Sequence, residues 1–207
     1  MPHARTAPKP RTPEIDAEAI DSGGSETTHA GQEAPRLSFS MAARNGFFQR
    51  VINGARRDLP DELAQFHAKP GFDLVKLWYD NDRIHYEAAI DLHREQIEVA
   101  LHFEDGPVST GIYLRAFDQE IVQIKHELGH TVELERWTQS WGRVFELTPL
   151  TTLDASVGER AARRMIEFIT ELQPIVNRTY APPERSAQPK RYDESRGWNG
   201  RKRRTRA

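Results

Sequence analysis

Three groups of residues in this chain combine types and spacings that could do chemistry. The first is Lys125-His126-Glu127-Leu128-Gly129-His130, which contains His-Glu-x-x-His. On one continuous helix that spacing projects two imidazoles from the same face to hold zinc, and the intervening Glu acts as general base on the metal-bound water. Read this way, the chain is a zinc-dependent hydrolase with His126 and His130 as ligands and Glu127 as base. No third ligand follows at the spacing of the longer forms of the motif. Where they continue with Gly and then His, this chain has Glu133 and Arg136.

The same residues also read as a junction. Phe117, Ile121, Ile124 and Leu128 form an apolar stripe that ends at Leu128, Gly129 suits a left-handed helix terminus, and from Thr131 the period becomes two. That reading places His130 beyond the helix of His126. It is the stronger one, because it accounts for the residues on both sides of the motif.

The second group lies on a hairpin. Ile84 to Leu92 and Gln96 to Glu104 alternate around a short His93-Arg94 connection. With His85 facing His102, the apolar residues Ile84, Tyr86, Ala88 and Ile90 align with Phe103, Leu101, Val99 and Ile97. His85, Glu87, His102 and Glu104 then share the opposite face with Asp91 and Glu98. Two imidazoles and two carboxylates so placed could surround Zn²⁺ or a similar ion, or could simply be the solvent face of an antiparallel sheet. A nuclease built on Asp91 and Glu98 is disfavoured, since Ala100 stands where such sites carry Lys.

The third group is the C-terminal cluster Lys190, Arg191, Arg201, Lys202, Arg203, Arg204 and Arg206, with Trp198 among them. Residues 182–207 hold 9 basic against 3 acidic side chains, whereas residues 37–181 hold 16 against 22. A basic tail on an acidic body can contact nucleic acid or another polyanion in a salt-dependent, sequence-blind manner.

The remaining elements position these groups. A helix is expected over about 41–58, a short helix from Pro60 to His67, and strands at Leu74–Tyr79 and over the hairpin. A helix from about Ser109 to Leu128, strands from Thr131 and over Trp141–Leu147, and a last helix capped by Asp154 complete the domain. Pro174 should kink or loosen that helix. Trp78, Trp137 and Trp141 read as core or interface. The order α-βββ-α-ββ-α implies an α+β fold: a single antiparallel sheet of about five strands with helices on one face. In element order it resembles the small dimeric chaperones of type III secretion, a resemblance that implies a homodimer binding a protein or peptide partner.

Composition bounds the rest. Residues 1–36, rich in Pro, Gly and Ser, read as a disordered tail, residues 37–181 as the domain, and residues 182–207 as a second disordered tail. The absence of cysteine excludes disulfides and thiolate metal sites, and no apolar run suggests a signal or membrane segment. The expectation is a cytoplasmic, chaperone-like binding module needing no cofactor, zinc entering only if His126 and His130 form a site.

Overall fold

The computed structural model describes residues 37–179, so both expected tails lie outside the described residues. The elements run α1 (Met41–Asp58), β1 (His67–Pro70), β2 (Leu74–Trp78), β3 (Ile84–Asp91), β4 (Gln96–Phe103), α2 (Gly106–Leu128), β5 (Glu133–Arg136), β6 (Gly142–Pro149) and α3 (Ala155–Arg178). The fold is α+β. All six strands form one antiparallel sheet in the order β1-β2-β3-β4-β6-β5.

The central hairpin adopts the register that its alternation dictates, with Ile84 opposite Phe103, His85 opposite His102 and Ile90 opposite Ile97. Its eight apolar positions are all buried against the helical layer, together with Val75, Leu77 and Val144 from the flanking strands. Each large apolar side chain so buried contributes about 1.5–3 kcal/mol, which makes this face the main source of stability. The one polar hydroxyl among them is satisfied: Tyr86 Oη lies 3.1 Å from Gln173 Oε1, to which it donates.

Where sequence and structure differ, the cause is local. The short helix expected over Pro60 to His67 is absent. Residues 61–64 turn instead, with the amides of Leu63 and Ala64 donating to the Pro60 carbonyl. His67–Pro70 then adds a sixth strand at the sheet edge, where a proline's missing N–H is tolerated.

Helix α3 runs on through Pro174 to Arg178. Its N-terminus is capped by Asp154 as expected, the carboxylate accepting from the Val157 amide at 3.1 Å. The Ser156 hydroxyl and then that amide hold the Asp154 carboxyl below its usual range. Helices α1 and α3 touch almost backbone to backbone, because a Cβ on Gly54 would sit 2.7 Å from that of Ala162. Among the described residues, no helix is long and apolar enough to cross a membrane.

Candidate functional site

Helix α2 ends at Leu128, and Gly129 follows with φ +99° and ψ 159°. This is positive-φ but extended backbone, not the left-handed helical turn expected, and an L side chain would be strained there. The Gly129 amide donates to the Lys125 carbonyl at 3.0 Å, and Arg164 of α3 donates to the Leu128 carbonyl. Arg164 also pairs with Glu146 at 2.6 Å, so the helix end is tied to both α3 and β6.

His126 therefore lies on the last turn of α2 with its side chain 77% exposed, and His130 lies past the glycine in the turn before β5. Glu127 accepts from Gln123 at 2.6 Å. The single-helix arrangement that zinc hydrolysis through His126, Glu127 and His130 requires is not formed. Among the described residues, the groups of three or more potential ligands lie elsewhere, on the hairpin.

The hairpin face opposite the helices is built by register. Trp78, His85, His102, Arg143 and Glu135 form one row across β2, β3, β4, β6 and β5. Lys76, Glu87, Ala100, Phe145 and Glu133 form the next. A solvent face should leave such residues wet, yet His85 is 0% and His102 2% exposed, and Glu87 is also buried.

His85 sits between Trp78 and His102 in its row, and the β5–β6 connection reaches His102. The Trp137 ring stands edge-on to His102 at 6.3 Å, and the Arg143 guanidinium lies over Trp137 at 4.7 Å and Phe145 at 4.0 Å. The connection is held in place: the amides of Trp137 and Thr138 both donate to the Trp141 carbonyl, and the Thr110 hydroxyl donates to that of Ser140 at 2.6 Å. Trp137 and Trp141 remain partly exposed, at the rim of the face and outside the core.

Within this setting the two imidazoles are stacked, 5.4 Å apart and nearly parallel. His102 Nε2 lies 3.1 Å from Glu98 Oε1, and Glu98 is held in turn by Arg143 at 2.5 Å. Arg143 also donates to Glu135 at 2.8 Å. The other nitrogen, Nδ1, faces Glu104 Oε1 at 3.8 Å and makes no hydrogen bond.

Among the described residues, His85 has no hydrogen-bond partner at either nitrogen. Its Nε2 is 3.5 Å from Glu87 Oε2, too far for a normal hydrogen bond, though close enough for their charges to interact. Burial alone would raise the Glu87 carboxyl. The neighbouring His85, then His102 and Lys76, outweigh burial and hold it below its usual range. Lys76 Nζ bridges the two acids of the group, 3.9 Å from Glu87 and 3.4 Å from Glu104.

Two overlapping sets result. His85, His102 and Glu104 each place a ligand atom within 4.8 Å of the others, and so do Glu87, Glu98 and His102. A cleft of about 400 Å³ opens beside the first set, with Glu104, Lys76, Trp78 and Trp141 in its lining.

All four hairpin residues singled out by sequence are thus brought together. Glu98, Arg143 and Trp137 complete the site. Glu98 was visible in the alternation, whereas Arg143 and Trp137 arrive through β6 and its preceding connection, whose placement has no local signal. Asp91 serves the turn, its carboxylate accepting from the amides of His93 and Arg94 at 3.0 Å. The basic residues Lys190, Arg191, Arg201, Lys202, Arg203, Arg204 and Arg206 lie outside the described residues. No family model matches the chain, and neither a curated protein nor a solved structure does.

Proposed function

We propose that the chain is a binding module whose working surface is the open face of the sheet around His85 and His102. The observation that carries this reading is made among the described residues: two imidazoles are buried, with three of their four nitrogens lacking a hydrogen bond, on the sheet face opposite the helices. Leaving a buried polar atom unsatisfied costs about 1–3 kcal/mol. The opposite face of the same strands contains no comparable arrangement, and its single buried hydroxyl is paired. A structural sheet gains nothing from this cost, whereas a surface that receives a ligand does, since such sites trade stability for function. The partly exposed Trp137, Trp141 and Leu147 add the aromatic and apolar contact area typical of binding surfaces.

The reading is testable without knowing the ligand. His85→Leu preserves side-chain volume and removes both unsatisfied nitrogens. Compared in a Glu87→Gln background, which removes the buried carboxylate that His85 neighbours, it should raise stability by about 1–2 kcal/mol in thermal unfolding after dialysis against chelator. For a domain of this size that corresponds to a Tm higher by several degrees, on the order of 3–8 °C. A variant less stable than this background would mean that the imidazole is structural cement, and the proposal would be abandoned.

A further inference from the structure

Deepening that reading, and resting on it, we infer that the ligand of the open face is a divalent transition-metal ion, held by His85, His102 Nδ1 and Glu104. Each member of this set is available. Among the described residues, His85 and His102 Nδ1 are buried and without hydrogen bonds, and Glu104 Oε1 faces Nδ1 at 3.8 Å while Lys76 pairs with its other oxygen. Two imidazoles and one carboxylate are a donor set that suits zinc and its first-row neighbours, and not calcium or magnesium.

The second set is the support for the first. A ligating imidazole usually donates its other N–H to a carboxylate, which fixes the tautomer and raises the basicity of the ligating nitrogen. Glu98 stands at His102 Nε2 in that role, 3.1 Å away, and is itself oriented by Arg143. The proton is thereby directed to Nε2, and the Nδ1 lone pair is left to bind the ion. Glu87, 3.5 Å from His85 Nε2, is beyond a normal hydrogen bond and does not orient that ring in the same way. With both of its oxygens engaged, by His102 and Arg143, Glu98 is not a free ligand.

Ligand atoms around zinc at about 2.0–2.1 Å are roughly 3.3–3.4 Å apart, so a set now spread over 4.8 Å closes by about 1.4 Å at most. Rotation of the Glu104 side chain, which lies beyond the last residue of β4, supplies part of that movement, and one imidazole must also turn out of the stack, because parallel rings direct their lone pairs in parallel planes. Three protein ligands would leave one position free for water or a further ligand, and Glu104 of the set is also in the lining of the cleft with Trp78 and Trp141.

The test uses the tag-free full-length chain, stripped with chelator and titrated with zinc chloride by calorimetry, with Co²⁺ absorption as a second readout of coordination. Wild type should bind about one equivalent through this site, with a Co²⁺ spectrum of low coordination number. His85→Leu and Glu104→Gln should each weaken binding by about 100-fold or more. Glu98→Gln, which acts only by positioning His102, should weaken it by about 10–100-fold. The double variant His126→Ala/His130→Ala should bind as wild type does.

His85→Leu doubles as the folding control, because the unfolding experiment above reports whether it is stable. No stoichiometric ion in wild type, or unchanged affinity in His85→Leu, overturns the metal. If His85→Leu is nevertheless stabilised, the open face remains a binding surface for another ligand. If it is destabilised as well, both proposals fall.

Discussion

The two histidine pairs of this domain invert the expectation that sequence spacing sets up. His126 and His130 stand at the spacing of a zinc helix, yet a helix end with a positive-φ glycine separates them, and the first projects into solvent. His85 and His102 are on different strands, at a spacing that names no motif, and they are stacked, buried and surrounded by carboxylates. Motif spacing has meaning only through the element that carries it. A helix brings positions i and i+4 to one side; a hairpin brings together residues related by its register.

The same hairpin contrasts with itself across its two faces, and there the largest effect is expected. Phe103 is buried between α2 and the sheet, stacked on Tyr113 at 5.2 Å and against Phe117 at 5.1 Å. Phe103→Ala should therefore cost about 3–5 kcal/mol in urea unfolding, the usual range for emptying an aromatic site. Its neighbour in the chain, His102, points the other way, and the open-face substitution His85→Leu has the opposite predicted sign. If Phe103→Ala cost no more than about 1 kcal/mol, the two faces would not differ as core and site do.

How much of this was legible beforehand follows from where each signal resides. The hairpin register and the facing histidines could be read because alternation over eight residues per strand leaves one register that buries every apolar side chain. The end of α2 could be read from the stripe closing at Leu128 and the change of period after Thr131. The edge strand could not. His67-Ala68-Lys69-Pro70 is four residues with little alternation, and it is extended only because β2 is there to pair with it.

Nor could the burial of His102 be foreseen. Polar alternation is the ordinary mark of a solvent face. What changes its meaning is the β5–β6 connection that brings Trp137 to the side of His102, together with Arg143 arriving opposite it on β6. These are relations between segments distant in the chain, and no local pattern encodes them.

The junction between the members of the other pair can be broken directly. Gly129 at φ +99° and ψ 159° occupies a region closed to other residues, and Gly129→Ala should cost about 1–3 kcal/mol by chemical denaturation. The sign decides the matter. Were the alanine variant more stable than wild type, α2 would be extending through His130. The two imidazoles would then share one helix face, and the zinc-hydrolase reading of His126, Glu127 and His130 would return.

The smallest effect belongs to those histidines themselves. His126 is exposed on the last turn of α2, and neither it nor His130 is among the buried residues. Surface substitutions that break no cap, cavity or paired charge usually stay within about 0.5 kcal/mol. His126→Ala and His130→Ala should each unfold within that margin of wild type in the chelator-stripped protein. A loss several times larger at either position would show that the end of α2 is held by its histidines. The Arg164 bond to the Leu128 carbonyl and the Gly129 backbone would then be secondary in holding the helix end, and the contrast between an exposed pair and a buried one would have to be redrawn.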